Sequence, residues 1–409
     1  MGKRVFITGA NFSNKGAQSM LFTTISEIRK RDPKSRIYFG TYKTEEFDHS
    51  VYSFFKASYD DGIQERALHE HMNPIRYIRL FSKLIGNEVL GIGKEKPVDG
   101  GRLFSGIDLV IDISGFALSD KIKDTYNKML LNTIALSKKN NVPVILMPQS
   151  FGPFEKIKER DGSLEKVREL MNYPEVIYAR EKNGMTDLEE TFELKNVKLS
   201  TDLVLQSRDI DLHSVFRKMP QTGSGRLSTK DNVAIIPNYQ CFRDGNESHM
   251  YEMYTMIIKL LLKSEKNIYI VQHSKADEEI CRTIKEMFKD EKSVHIAEGN
   301  LNCIEFDEYI REFDFVICSR YHGCVHAFRN DIPCIILGWA DKYLELAKHM
   351  QQEKYVFSVE TGIDNTAEIL EAITGMTDEL MTEKKTIREN VERIQKDSCF
   401  DCLDSFLMA

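Results

Sequence analysis

The chain has 409 residues, of which 42% are hydrophobic and 29% are charged, a composition typical of a soluble globular protein with more than one domain. Its 63 acidic residues outnumber its 56 lysines and arginines. The resulting net charge of -7 argues against a general nucleic-acid binder, which needs basic residues to neutralise phosphates.

No apolar run reaches the roughly 20 residues that span a bilayer, and the sequence begins directly with a strand-like segment. We therefore expect a cytoplasmic protein. Its eight cysteines show no paired zinc-ligand spacing, and Cys399 and Cys402 form a single CxxC without a second pair. We expect reduced thiols and no bound metal.

Strand-like apolar runs alternate with helical patterns along most of the chain. The first half contains, in order, RVFITGA, SRIYFGT, DLVIDIS, PVILMPQ, EVIYARE and VKLSTDLVL, with helices expected near 15–31, 121–139 and 164–171. The second half contains NVAIIPN, NIYIVQHS, SVHIAEG, DFVICS, PCIILGW and YVFSV, with helices near 249–263 and 277–288. Continuous apolar strands separated by helices predict parallel sheets covered on both faces.

This alternation predicts two Rossmann-like domains. The first spans 1–206, with an insertion at about 44–106 that breaks the pattern, and a polar linker spans 207–230. The second spans 231–409, with terminal helices that can pack back on either domain. A cleft between two such domains is a usual ligand site.

Within the insertion, the segment 74–96 predicts a helix that carries Arg76, Arg79 and Lys83 beside apolar residues. Such a basic amphipathic helix suits peripheral contact with an anionic membrane. The alternative is a helix packed on the first domain with solvated charges.

The first βα turn, TGANFSNKGAQSML, places Asn14, Lys15 and Gly16 at the start of a helix. Backbone N–H groups at a helix N-terminus stabilise anions, so these residues are candidates for binding a phosphate or a carboxylate. The turn has neither the GxGxxG nor the Walker pattern, so it does not indicate a dinucleotide or P-loop site.

Polar side chains also follow three other strands. Asp112 ends the strand DLVID, and Gln149 and Ser150 follow PVILMP, so these three are candidates for acceptor contacts, with Asp112 as a possible general base. Arg180 follows EVIYA, and its guanidinium suits a carboxylate or phosphate. An ion pair between Arg180 and Glu181 is the alternative.

The stretch SRYHG, which follows the strand DFVIC, combines Arg320, Tyr321 and His322 at a predicted strand end. His exchanges a proton near neutral pH, and a neighbouring Arg holds an anion. His326, four residues after His322, is expected on the same helix face. We expect no metal there, because no third ligand accompanies the two histidines.

Taken in order, these stretches resemble the polysaccharide pyruvyl transferase family. SRYHG followed by IPCI is similar to the family's Ser-x-Arg-Leu-His-Gly signature, although here Ser319 directly precedes Arg320 and Tyr321 replaces the usual Leu. Ala17 and Gln18 stand in the N-terminal loop where acids are common, and DISGF replaces a more usual Gly-Gly pair.

The resemblance implies two Rossmann-like domains in a GT-B-like arrangement with an interdomain cleft. It also implies transfer of a carboxyethylidene group from phosphoenolpyruvate, without a cofactor, to two sugar hydroxyls, with formation of a pyruvate ketal and release of phosphate. Arg180 and Arg320 then correspond to the donor-binding arginines, and His322 to the catalytic acid/base. The acceptor is a glycan, lipid-linked if the enzyme acts at the inner membrane face.

Two alternatives stay open at this point. A GT-B-type glycosyltransferase that uses a nucleotide sugar would share the two-domain cleft, and a non-catalytic, membrane-peripheral scaffold would use the insertion as its contact surface. The sequence leaves open the acceptor sugar, the linkage positions and the oligomeric state.

Overall fold

The computed structural model describes residues 2–12, 14–40, 47–48, 50–57, 59–60, 98–99, 103–159, 162–219, 227, 229–244, 246–297, 301–338 and 340–408. The segment 74–96, for which membrane contact is expected, lies outside these described residues. The chain divides into two compact units. The first consists of Met1–Leu203, Asp209–Pro220 and Cys399–Ala409, and the second of Val204–Arg208 and Gln221–Ser398.

The first unit is built around a parallel sheet. Its strands are β1 (Arg4–Thr8), β2 (Arg36–Gly40), β3 (Phe55–Ala57), β4 (Tyr59–Asp60), β5 (Val98–Asp99), β6 (Leu109–Asp112), β7 (Phe116–Leu118), β8 (Val144–Phe151), β9 (Val176–Ala179) and β10 (Val197–Leu199). The sheet has the order β10-β9-β8-β6-β1-β2-β3; β7 pairs with β8, and β4 pairs with β5 separately. Its helices are α1 (Lys15–Arg31), α2 (Asp124–Lys139), α3 (Glu155–Glu159), α4 (Ser163–Met171), α5 (Lys182–Phe192) and α6 (Leu212–Val215).

The second unit contains another parallel sheet. Its strands are β11 (Asn232–Ile236), β12 (Asn267–Ile270), β13 (Val294–Ile296), β14 (Phe315–Cys318), β15 (Cys334–Gly338) and β16 (Val356–Ser358), in the order β13-β12-β11-β14-β15-β16. Its helices are α7 (Tyr239–Asp244), α8 (Glu247–Lys263), α9 (Glu278–Met287), α10 (Cys303–Ile310), α11 (Tyr321–Arg329), α12 (Asp341–Met350) and α13 (Thr366–Lys396). The second unit also has 3₁₀ turns at Lys275–Asp277 and Glu353–Tyr355, and a further turn spans Leu203–Gln206. The 3₁₀ turn at Cys399–Leu403 and the helix α14 (Asp404–Leu407) belong to the first unit.

Each sheet supplies the apolar core of its own unit. In β6 all four residues are buried, and in β11 all five are buried. Strands covered by helices on both faces have no side that tolerates polar residues, which is why they are continuous apolar runs in the sequence. The prediction of two parallel α/β domains is confirmed.

Part of the segment 207–230, which the sequence predicts to be a linker, belongs to the first unit. Within it, α6 packs on the first unit: the Asp211 N–H donates to Ser26 Oγ over 2.9 Å, and the Phe216 ring lies edge-on to Phe22 at 5.2 Å between centroids. At the other end of the chain, Arg31 of α1 pairs with Asp404 at 2.6 Å. The last residues therefore belong to the first unit, whereas α13 belongs to the second.

Because the strands of each sheet are parallel, their carboxyl ends share one edge, which we call the carboxyl edge of that sheet. In the first sheet Thr8 pairs with Asp112, and Gln149 pairs with Ala179. In the second sheet Cys318 lies between Ile236 and Ile336. The candidate residues that follow these strands are therefore neighbours within each unit.

Candidate functional site

In the second unit, Arg320 follows β14 and is held at the carboxyl edge by a buried aspartate. Arg320 Nε donates to Asp277 Oδ2 over 2.9 Å, and Nη2 donates to Asp277 Oδ1. The Asp277 side chain is fully buried, whereas Arg320 keeps 24% of its side chain exposed. The guanidinium is therefore fixed through one edge, with its other end toward solvent.

Asp277 also joins three loops of this edge. Its Oδ1 accepts from the Tyr239 N–H after β11, at 3.0 Å, and its Oδ2 accepts from the Ser274 N–H after β12, at 2.9 Å. With the two bonds from Arg320, the carboxylate accepts four hydrogen bonds. A buried carboxylate requires such full compensation, so Asp277 sets where Arg320 lies.

Ser319 fixes the backbone that carries Arg320. The Ser319 side chain is fully buried, and its hydroxyl lies 3.1 Å from Tyr254 Oη. Its carbonyl accepts from Asn238 Nδ2 at 3.0 Å and from Tyr343 Oη at 2.9 Å. The serine of the SRYHG stretch thus has a structural role.

His322 is the second residue of α11, whose N-cap is Arg320 and whose first residue is Tyr321. It is half-buried, and its ring lies edge-on to the buried Tyr321 ring with 5.5 Å between centroids. Gly323 follows because a Cβ at that position would lie 2.5 Å from Cys318 Sγ. Glycine therefore allows the helix to begin directly against the end of β14, which places His322 beside Arg320.

His326 lies apart from this group in its contacts. It is 1% exposed, and its Nδ1 lies 2.7 Å from Asp307 Oδ1 on α10. Burial alone would raise the pKa of Asp307, but Arg329, His326 and Arg311 hold that pKa below its usual range. Within the described part of the chain, no group of three or more His, Cys, Asp and Glu residues could hold a metal ion.

In the first unit, Asp112 is the centre of a buried hydrogen-bond network. It accepts from the hydroxyls of Thr8 at 2.8 Å and Ser114 at 2.9 Å, and from Gln149 Nε2 at 3.2 Å. Burial raises the pKa of Asp112, against the lowering effect of these hydrogen bonds. The Gln149 side chain is also fully buried, and its Oε1 has no hydrogen-bond partner among the described residues.

Arg180 lies beside this network and is itself buried, with 5% of its side chain exposed. Its Nη1 donates to the fully buried Asp202 at 2.8 Å, and its Nη2 donates to Gly115 O at 2.9 Å and to Ser150 Oγ at 2.8 Å. Arg180 Nε lies 3.8 Å from Glu181 Oε1, the partner considered from the sequence, so Asp202 is the closer of the two acids. These contacts make Arg180 an organiser of the loop that follows β6 and of the carboxyl end of β8.

At the start of α1, Asn14 acts as the helix N-cap. Its Oδ1 accepts from the Gly16 N–H at 2.9 Å, and Lys15 is 7% exposed. The cap therefore satisfies one of the backbone N–H groups that were proposed from the sequence for anion binding.

Gly9 lies in the turn before α1 with φ +84, and a Cβ there would lie 2.2 Å from Ser114 Oγ, so this position requires glycine.

The structure thus brings Arg320, Tyr321 and His322 together in one unit. In the other unit it brings Asp112 and Gln149 together, with Ser150 and Arg180 next to them. The residues that sequence reasoning missed are Asp277 and Asp202, the buried partners of the two arginines. The signal for Asp277 is the pattern SKAD, a capping box in which Ser274 and Asp277 cap a helical turn directly after β12.

The fold is similar to that of known sugar-nucleotide enzymes. UDP-GlcNAc 2-epimerase from Neisseria meningitidis, solved bound to UDP-GlcNAc, matches with a TM-score of 0.57 at 10% identity, covering 99% of each chain. The UDP-GlcNAc 2-epimerase from Methanocaldococcus jannaschii matches with a TM-score of 0.53 at 12% identity, covering 91% of this chain and 92% of that one. At such identities the likeness concerns the fold alone, and it confirms the expected GT-B-like class.

The family follows from the sequence itself. The family model for polysaccharide pyruvyl transferase matches residues 14–341, which is most of the chain. The match includes Asp112, Gln149, Ser150 and Arg180 of the first unit and Arg320, Tyr321 and His322 of the second. The chain therefore belongs to the polysaccharide pyruvyl transferase family, and it is a transferase of polysaccharide synthesis. None of the curated proteins matches it in a sequence comparison. No helix among the described residues is both long and apolar enough to cross a membrane.

Proposed function

We propose that this enzyme transfers the carboxyethylidene group of phosphoenolpyruvate to two hydroxyls of one sugar in a glycan acceptor, forming a pyruvate ketal and releasing phosphate. The observation that carries the proposal is that Arg320, which is fixed by Asp277, lies close in the chain to His322 at the start of α11. In this proposal Arg320 binds the anionic donor, and the neighbouring His322 transfers the proton.

The anion site has two sources of attraction. Arg320 uses Nε and Nη2 to bind Asp277, and within the described part of the chain its Nη1 makes no hydrogen bond. The edge formed by Nη1 and the second Nη2 hydrogen therefore suits a carboxylate. The N-terminus of α11, whose cap makes no side-chain hydrogen bond, adds backbone N–H groups and the positive end of the helix dipole.

His322 supplies the proton chemistry. In its protonated form it delivers a proton to the methylene carbon of the donor, which becomes a methyl group, and positive character develops at the adjacent carbon. One sugar hydroxyl adds to that carbon, the bond to the phosphate oxygen breaks, and the second hydroxyl closes the ketal. Of the two hydroxyl protons, one returns to His322 and the other leaves with phosphate. No cofactor is required.

The residues of the first unit enter the proposal as predictions. Asn14, Lys15 and Gly16 are assigned to donor binding because they begin a helix, and Arg180 through the family resemblance; Asp112, Gln149 and Ser150 are assigned to acceptor contacts. Support for the acceptor assignment comes from the Gln149 carbonyl, a buried acceptor without a hydrogen-bond partner among the described residues. We further propose a lipid-linked acceptor at the inner membrane face, approached through 74–96.

Ligand stabilisation tests the donor assignment without an acceptor. A ligand at about 100 times its dissociation constant stabilises a protein by about 2.7 kcal/mol. We expect phosphoenolpyruvate to raise the unfolding temperature and a panel of nucleotide sugars to leave it unchanged. Stabilisation by a nucleotide sugar alone would replace this proposal with that of a glycosyltransferase function.

A vesicle-binding assay tests the proposed membrane contact. Charge reversal at Arg76 and Arg79 should abolish binding to anionic vesicles.

A further inference from the structure

The pairing of Arg320 with Asp277 leaves the anion site of the second unit short of positive charge. The two side chains have opposite charges and are in direct contact, so together they are close to neutral. The proposed donor carries a carboxylate and a phosphate, and a phosphate alone carries about −1.5 to −2 at neutral pH. A second cation near SRYHG would supply positive charge that the Arg320–Asp277 pair does not.

Lys342 is a candidate for this cation. It is the second residue of α12, which begins shortly after β15 ends. Because β15 pairs in parallel with β14, with Ile336 opposite Cys318, Lys342 and Arg320 follow neighbouring strands at the same carboxyl edge.

Two aromatic rings hold the Lys342 ammonium in place. Lys342 Nζ lies 5.4 Å from the centroid of the Tyr321 ring and 5.6 Å from that of the Tyr343 ring. These two rings meet edge-on at 5.8 Å, and both are buried. A cation within about 6 Å of an aromatic face is attracted by the ring quadrupole, so the two rings hold the ammonium near one position.

The same rings connect Lys342 to the residues of the proposed chemistry. The Tyr321 ring contacts the His322 ring, and the Tyr343 hydroxyl donates to the carbonyl of Ser319, directly before Arg320. Through these two rings the lysine is connected to His322 and to Ser319. Leucine, the usual residue of the family signature at the position of Tyr321, has no aromatic face and would not provide this support.

We propose that Lys342 is the phosphate-binding cation of this site and that Tyr321 positions it. An ammonium is a compact point charge that suits phosphate, whereas the planar edge of Arg320 suits a carboxylate. The division places the positive charge of Lys342 on the leaving group, where negative charge develops as the bond to the phosphate oxygen breaks. The inference rests on the proposed function for the identity of the donor but not for the binding of phosphate.

Calorimetric titration of the full chain with three ligands tests this assignment. The ligands are phosphoenolpyruvate, inorganic phosphate, and pyruvate as a carboxylate without phosphate. We expect Lys342→Met to lower the affinity for phosphoenolpyruvate and for phosphate by about tenfold or more, which is the loss typical of one hydrogen bond to a charged group. The affinity for pyruvate should not change. Lys342→Arg, the control that keeps the charge, should retain most of the phosphate affinity. Lys342 is not in the buried core, so Lys342→Met should unfold within a few degrees of the wild type.

Substitutions of Tyr321 test the positioning role. Tyr321→Phe keeps the aromatic face and should bind phosphate like the wild type, whereas Tyr321→Leu should weaken it. In the Lys342→Met background the same Tyr321→Leu change should have little further effect, because the cation that it positions is gone. Equal losses from Tyr321→Leu in both backgrounds would overturn the positioning role.

The outcomes separate this inference from the proposed function. If the wild type binds phosphoenolpyruvate and Lys342→Met binds it equally well, the inference is wrong and the proposed donor stands. If the wild type binds phosphate but not phosphoenolpyruvate, and Lys342→Met loses phosphate, the lysine site is supported and the donor is wrong. An equal loss of pyruvate and phosphate would overturn the division between Lys342 and Arg320.

Discussion

Replacing Asp277 by asparagine tests whether this buried carboxylate holds the second unit's carboxyl edge together. Asparagine has nearly the same shape but is neutral, and its amide nitrogen is a donor that would face donors already in place. The carboxylate is fully buried and accepts from Arg320 and from the N–H groups of Tyr239 and Ser274. All of these donors lose a charged acceptor when it is replaced.

The size of the effect follows from that geometry. Removing one partner of a buried ion pair typically costs about 3 to 5 kcal/mol. Because Arg320 keeps 24% of its side chain exposed and can recover some hydration, we expect the lower end, about 3 kcal/mol. For a domain of this size class, that corresponds to a fall of roughly 6 to 12 °C in unfolding temperature.

Differential scanning calorimetry measures this change, and the neighbouring residue provides a control. Glu278 pairs with Arg282 at 2.6 Å, but the two side chains are 38% and 73% exposed. Glu278→Gln should therefore cost no more than about 0.5 kcal/mol. Asp277→Asn should also weaken phosphoenolpyruvate binding, because Arg320 is no longer held. A similar small loss of stability in both variants would refute the role of Asp277.

Two further predictions concern other contacts of α11. Gly323→Ala should destabilise the protein by about 1 to 3 kcal/mol, because its Cβ would meet Cys318 Sγ, and adding Cys318→Ala should restore most of that loss in a denaturant titration. The depressed pKa of Asp307 stabilises the fold above about pH 4, its unfolded value, and this stability disappears as the pH falls below it. Acid titration of Asp307→Asn should therefore show less loss of stability below about pH 4 than the wild type, and parallel curves would contradict the ion pairing of Asp307.

Local sequence patterns were enough to predict most of the regular elements. The helix expected at 15–31 is α1, Lys15–Arg31, and those expected near 249–263 and 277–288 are α8 and α9, each within about two residues at either end. Apolar periodicity and polar caps such as Asn14 and Asn246 act within a few residues along the chain, so they are visible without the fold.

Long-range partners of the site were not visible in this way. Asp277 and Arg320 are 43 residues apart, and Arg180 and Asp202 are 22 apart, so only the parallel sheets bring each pair together. The sequence suggested Glu181 as the acid for Arg180 because it is adjacent, but Asp202 is closer. Similarly, His326 follows His322 by one helical turn, yet its short contact is with Asp307 on another helix.

Turnover with phosphoenolpyruvate tests the central claim most directly. The wild type and His322→Gln would be incubated with phosphoenolpyruvate and a pool of glycan acceptors, with phosphate release and acid-labile pyruvate ketal measured together. We predict acceptor-dependent release of one phosphate for each ketal in the wild type. His322→Gln should lose a factor of about 10² to 10⁴ in rate while still being stabilised by phosphoenolpyruvate. Ketal formation at an undiminished rate in His322→Gln, or no ketal from the wild type with any acceptor, would contradict the account.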